Sequence, residues 1–167
     1  MTVGTRYPSE RRTYHDSQTG RQVMQLTDSP AEDYHLYFYN PTVTPDGRYL
    51  IFFSERTGLS NLFRLQLDSG EIVQLTDTRP VRAYAHYNLH PDGTTMVTDG
   101  EAQPGCISKV NLVDGCQIYE VLCRHDSYRF GDDQRCHPHP SFTPDGQQIV
   151  FTSNQSGTSN VYLTNWT

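Results

Sequence analysis

The tripeptide Pro-Asp-Gly occurs three times in this chain, at Pro45-Asp46-Gly47, Pro91-Asp92-Gly93 and Pro144-Asp145-Gly146, 46 and 53 residues apart. Proline presets φ for the first central position of a turn and glycine tolerates a positive φ. Each copy, set between β-branched and aromatic runs, therefore marks a hairpin. The flanks repeat too. The run Asn40-Pro41-Thr42-Val43-Thr44 before the first turn aligns with His139-Pro140-Ser141-Phe142-Thr143 before the last, and Tyr49-Leu50-Ile51-Phe52 aligns with Gln148-Ile149-Val150-Phe151. A repeat of this length that consists of strand, turn and strand is the period of a propeller blade.

Copy one continues through a polar turn, Ser54 to Asn61, into the alternating run Leu62-Phe63-Arg64-Leu65-Gln66-Leu67, then through Asp68-Ser69-Gly70 into Glu71-Ile72-Val73-Gln74-Leu75-Thr76. That makes four antiparallel strands, the content of one blade. The last copy offers Ser153 to Asn160 and then Val161-Tyr162-Leu163. The opening segment carries Gln22-Val23-Met24-Gln25-Leu26-Thr27, the same ending as copy one, and so reads as an outer strand of another blade. The expected fold is all-β, a single domain over residues 1–167 with blade-like repeats at about 28–80, 81–126 and 132–167, and with 1–27 as that outer strand. The competing architecture is a plain β-sandwich with similar hairpins. Twelve Gly, 10 Pro and 11 Tyr suit many short strands rather than long helices. A chain of 167 residues is small for a closed propeller, so about three blades form an open arc whose exposed strand edges favour self-association.

The formal charge is -6, with no clustered basic surface, which argues against a nucleic-acid partner. A polyanionic sugar stays open, since a few Arg residues or a metal ion neutralise carboxylates locally. No stretch reaches the 18 or so apolar residues of a membrane span, and Met1 to Asp16 has no apolar signal core. These features lead to the expectation of a cytoplasmic protein without membrane partners. Cys106, Cys116, Cys123 and Cys136 include no CxxC pair, and reduced thiols are expected, with a disulfide as the alternative.

The segment Asp132-Asp133-Gln134-Arg135-Cys136-His137-Pro138-His139-Pro140 stands apart. If it runs extended into a strand, His137 and His139 project from one side while Cys136 points elsewhere. Two imidazoles on one face either begin a metal site or form a hydrogen-bonded structural pair, and spacing alone does not choose. His86 precedes the inner strand of copy two, and His35 lies ahead of that of copy one with Tyr39 close by. Inner strands of a propeller line the central channel. His35, Tyr39 and Arg135 are therefore candidates for substrate contact, although core packing is the ordinary fate of such aromatics.

The run Cys136-His137-Pro138-His139-Pro140-Ser141-Phe142-Thr143-Pro144-Asp145, preceded by Gln134, resembles the last-blade signature of the oligogalacturonate lyases. Thr13-Tyr14-His15-Asp16, Leu26-Thr27 and Tyr37-Phe38-Tyr39 resemble that family's opening, and His86, Asp92-Gly93-Thr94 and Arg124-His125-Asp126 resemble its penultimate blade. The resemblance implies a seven-bladed propeller holding manganese, or another divalent transition ion, through His86, Gln134, His137 and His139. It also implies cleavage of short oligogalacturonides by β-elimination during pectin breakdown. Family members are more than twice as long, and copy one here runs into the penultimate blade across Thr76 to Ala85, so the middle blades are missing. The family's proposed Arg base belongs to that region, and neither Arg79 nor Arg82 can be assigned to it; the catalytic residue stays unknown. The alternative function is a non-catalytic WD40-like or TolB-like propeller module that binds protein.

Overall fold

The computed structural model describes residues 2–37, 40–77, 87–99, 106–112, 119–127 and 137–166. Fourteen strands and no helix occur among them. The first sheet takes β4 (Asp33–His35), β5 (Tyr49–Ser54), β6 (Asn61–Gln66), β7 (Ile72–Gln74) and, as a fifth strand, β1 (Arg6–Tyr7), in the order β1-β7-β6-β5-β4. The second runs β11-β10-β9-β8, from β8 (Tyr87–Leu89), β9 (Thr95–Asp99), β10 (Cys106–Asn111) and β11 (Tyr119–Arg124). The third has three strands, β12 (Ser141–Phe142), β13 (Gln148–Ser153) and β14 (Asn160–Asn165). All pairings are antiparallel. A separate hairpin joins β2 (Arg12–His15) to β3 (Gln22–Gln25).

The three Pro-Asp-Gly copies turn in the same way. The glycine N–H donates back to Thr44 O at 2.8 Å, His90 O at 2.9 Å and Thr143 O at 2.8 Å, with Gly47, Gly93 and Gly146 at φ 70°, 72° and 71°. This is a tight turn closed by a left-handed glycine. Each aspartate stiffens its turn. Asp46 Oδ1 accepts the Thr44 hydroxyl at 2.6 Å and the Arg48 N–H at 3.0 Å, which holds its pKa down at about 2. Asp145 accepts the Thr143 hydroxyl at 2.6 Å and the Gln147 N–H at 3.1 Å.

The sheets stack face to face as blades do, and their cores lie between neighbours. Leu36, Ile51, Phe53, Leu62 and Leu75 of the first sheet region meet Tyr87, Leu89, Met96, Val110 and Leu112 of the second. Val97 and Ile107 of the second meet Ile149 and Phe151 of the third. The opposite face of the first sheet buries Phe52, Phe63, Leu65 and Ile72 beneath Tyr7 and Leu26 from the opening segment. Both faces of β5 and β6 are thus covered, which explains their near-continuous apolar runs. Among the described residues the last sheet has no such cover: Val161 is 75% and Leu163 55% exposed. Among the described residues the sheets do not close into a ring.

Arg56 ties the opening segment down. Its guanidinium donates to Glu10 at 2.9 Å and to Asp33 at 3.1 Å, its Nε–H to Ser54 Oγ at 2.8 Å, and it lies over the rings of Tyr7, Phe63 and Phe52. Glu10 in turn accepts the Asp28 N–H at 2.9 Å, which fixes the chain just beyond β3.

Candidate metal centre

His137 and His139 stand at the mouth of the third sheet, ahead of β12. Their rings lie nearly parallel, 20° apart, with centroids 5.5 Å from one another. Strand alternation does not produce this placement. His139 has φ 44°, a left-handed conformation, so the regular strand begins only at Ser141. The Pro138 carbonyl accepts the Thr152 N–H at 2.8 Å and moors the segment to β13. A left-handed residue other than glycine is uncommon and strained, and such residues gather where a side chain must be aimed.

With a metal–nitrogen bond of about 2.1 Å, two imidazoles bound side by side to one ion hold their centroids roughly 4.5–5.5 Å apart. The centroid separation of the pair lies at the upper end of that range. Neither His86, Gln134 nor Arg135 falls within the described residues, nor does Tyr39, so the rest of the expected constellation lies outside them. Among the described residues no group of three or more His, Cys, Asp or Glu is gathered to hold an ion. His35 is exposed, with Nδ1 2.5 Å from Leu36 O.

Neighbouring inner segments are stitched together near the pair. Asn88 Oδ1 accepts the Phe142 N–H at 3.1 Å, and Asn88 Nδ2 donates to Asn40 Oδ1 at 3.4 Å, so one amide links β8 to β12 and to the segment between β4 and β5. Sequence reasoning passed over Asn88, because an asparagine three residues before the second Pro-Asp-Gly has no local pattern to mark it. His90, also given no role, packs between Phe142 and Trp166, with centroids at 4.8 and 5.4 Å, and its Nε2 lies 3.1 Å from Gly146 O. It is a joint between sheets two and three. His125 is buried; its Nδ1 accepts the Ser127 N–H at 3.1 Å, its carbonyl accepts the Ser153 hydroxyl, and burial pushes its pKa below the ordinary value. Cys106 is buried and Cys123 half-buried, both as free thiols, with burial raising the pKa of Cys123; Cys116 and Cys136 lie outside the described residues.

A cleft of about 190 Å³ opens at the turn end of the blades, lined by Thr44, Asp46, Arg48, Tyr49, Arg64 and Asp92 among others. Arg64 caps the Tyr49 ring at 4.7 Å and reaches Leu112 O at 3.4 Å. The histidine pair precedes its inner strand and the turns follow theirs, so this cleft belongs to the opposite end of the blades.

The family model for oligogalacturonate lyase matches this chain in two overlapping stretches, residues 1–128 and 80–167. The oligogalacturonate lyase of Dickeya dadantii (strain 3937) is 33% identical over 141 residues, covering 71% of this chain and 34% of the relative. The oligogalacturonide lyase of Pectobacterium atrosepticum is 31% identical over 137 residues, with the same shares. The chain thus spans about a third of the length of these curated relatives. A Tol-Pal system protein TolB from Bordetella parapertussis is 31% identical over 140 residues, covering 84% of this chain and 28% of the relative. A solved oligogalacturonate lyase in complex with manganese superposes with a TM-score of 0.72 at 24% identity, over 91% of this chain and 38% of that one. TolB from Acinetobacter baumannii superposes at 0.56 and 20% identity, over 92% of this chain and 34% of that one, the same propeller-type stacking. By the family match across its whole length and by its lyase relatives, this chain belongs to the oligogalacturonate lyase family.

Proposed function

We propose that this chain is a metal-assisted oligogalacturonate lyase module, acting on short pectin-derived oligogalacturonides by β-elimination with turnover reduced by the lack of an identifiable base. The observation that carries the reading is the parallel His137–His139 pair at 5.5 Å, held by a left-handed backbone. His86 supports it, because it stands five residues before its Pro-Asp-Gly, as His139 does before the next. Equivalent positions in successive blades sit at equivalent heights around a channel.

His86, Gln134, His137 and His139 would hold the ion, a nitrogen-and-oxygen donor set suited to manganese and tolerant of other divalent transition ions. When bound, it supplies positive charge beside a uronate carboxylate and so acidifies the adjacent C5–H. The chain's own contribution is positioning. Pro138, Pro140 and the His139 backbone fix both rings before a ligand arrives, which lowers the ordering cost of binding. Elimination then breaks the C5–H and C4–O bonds and forms a C4=C5 double bond, and the leaving oxygen takes up a proton and departs as a hydroxyl, so no water is added.

Manganese titration by calorimetry tests the reading, with His137→Ala and His139→Ala each expected to weaken binding at least about tenfold. Product formation from digalacturonate, read by ultraviolet absorbance with and without manganese, should be slow. Unchanged manganese affinity in both variants would refute the site. A protein-binding propeller module is the second reading, favoured by the 84% coverage of this chain by a TolB relative; a chain that takes up no manganese supports it.

A further inference from the structure

Among the described residues the third sheet ends at β14, whereas the first carries two more strands beyond the equivalent β6. The residues of those two strands have counterparts in the opening hairpin. Gln-Leu-Thr-Asp occurs at 74–77, closing β7, and again at 25–28, closing β3. The local bonding is the same: Gln74 Nε2 donates to Thr76 O at 2.7 Å, and Gln25 Nε2 to Thr27 O at 2.7 Å. Next to β7 stands β1, pairing Arg6 with Val73 and Tyr7 with Ile72; next to β3 stands β2, pairing Thr13 with Met24 and Tyr14 with Val23. The hairpin β2–β3 is thus a copy of β1–β7 that has no inner neighbour among the described residues.

The receiving edge is equally specific. Asn160 Nδ2 bonds Ser156 Oγ at 2.8 Å and Thr158 O at 3.0 Å, as Asn61 Nδ2 bonds Thr57 Oγ1 at 3.1 Å and Leu59 O at 3.4 Å. In the first sheet Asn61 Oδ1 also accepts the Thr76 hydroxyl at 3.0 Å, the lock between β6 and the end of β7. Thr27 is the matching threonine for Asn160. The alternation of the ladders agrees. Trp166 N donates to Gln147 O, so Leu163 turns its N–H and C=O away from β13; Asp16 N donates to Arg21 O, so Met24 turns its own away from β2. Both stand outward, as a bonded pair requires.

We propose that the β2–β3 hairpin of a second copy of this chain completes the third sheet, with Met24 opposite Leu163, Gln25 opposite Tyr162 and Val23 opposite Thr164. Within one chain the hairpin is pinned to the first sheet through Arg56, Glu10 and Asp28, and among the described residues β14 pairs with β13 alone. In the pair, Tyr14, 52% exposed, packs on Tyr162 as Tyr7 packs edge-on to Phe63 at 6.0 Å. Val161 and Leu163 then face the Phe52–Phe63 side of the partner's first sheet. The junction is head-to-tail, so it closes when the arcs complete a turn. Two arcs of about three blades make a ring of about six, inside the usual range of four to eight, while three arcs overshoot it.

Light scattering after size exclusion should give twice the 19.1 kDa chain mass for the unmodified chain. Met24 and Leu163 are 49% and 55% exposed in the single chain, so charges at both are compatible with its fold. The double variant Met24→Glu/Leu163→Glu places like charges across the junction and should fall to the single-chain mass. Met24→Glu/Leu163→Lys places opposite charges there and should keep the doubled mass. A monomeric unmodified chain, a larger assembly, or double variants that behave alike would each overturn the proposal.

Discussion

Replacing Arg56 by Met keeps the apolar stem and removes the charge from a site where it is 5% exposed, against Glu10 at 20% and Asp33 at 9%. Two carboxylates lose their counterion, while Ser54 Oγ loses a donor at 2.8 Å. Breaking a buried pair by removing one partner costs about 3–5 kcal/mol, chiefly through the charge left behind. Glu10 keeps some hydration, which places the expected loss near the lower figure, about 3 kcal/mol. For a urea slope of about 2 kcal/mol/M this moves the unfolding midpoint down by roughly 1.5 M, followed by circular dichroism and Trp166 fluorescence. The triple variant Glu10→Gln/Asp33→Asn/Arg56→Met removes all three charges and should recover at least half of that loss, because neutral groups tolerate burial better than orphaned ions. A shift below about 0.3 M for the single variant, or a triple variant no better than the single, would refute the account.

Two glycines with the same backbone should respond differently to alanine. Gly47→Ala meets open space and should lose about 1 kcal/mol for its left-handed φ, whereas at Gly146 a Cβ would stand 2.7 Å from His90 Nε2 and should lose at least 1 kcal/mol more, measured by urea unfolding. For His125, burial lowers the folded pKa below 6.5, so the unfolded chain binds the extra proton first. Stability should therefore fall as pH drops through about 6.5 and level off below the folded pKa, and His125→Gln should flatten that slope in unfolding curves taken from pH 7.5 to 5.

The all-β class, the three turns and the blade period were legible in the chain because their chemistry is local. Each turn closes between Thr44, His90 or Thr143 and a glycine three residues on, under the control of Pro and Asp within the same loop. The family was legible for a related reason: the His-Pro-His run before the last Pro-Asp-Gly and the opening Thr13-Tyr14-His15-Asp16 are short contiguous words. The pairing of His137 with His139 was half legible. Spacing suggested one face, but the left-handed backbone at His139 that sets the rings 5.5 Å apart depends on the mooring of Pro138 to Thr152. Arg56 gave no sign in sequence, since its partners Glu10 and Asp33 lie 46 and 23 residues away and meet it only when the opening segment folds back. The same holds for β1, two residues long, which no periodicity could reveal and which exists because β7 offers it an edge. Local turn chemistry is written in neighbouring residues, whereas a buried ion pair or a completed sheet edge is decided by which distant segments the packed sheets bring together.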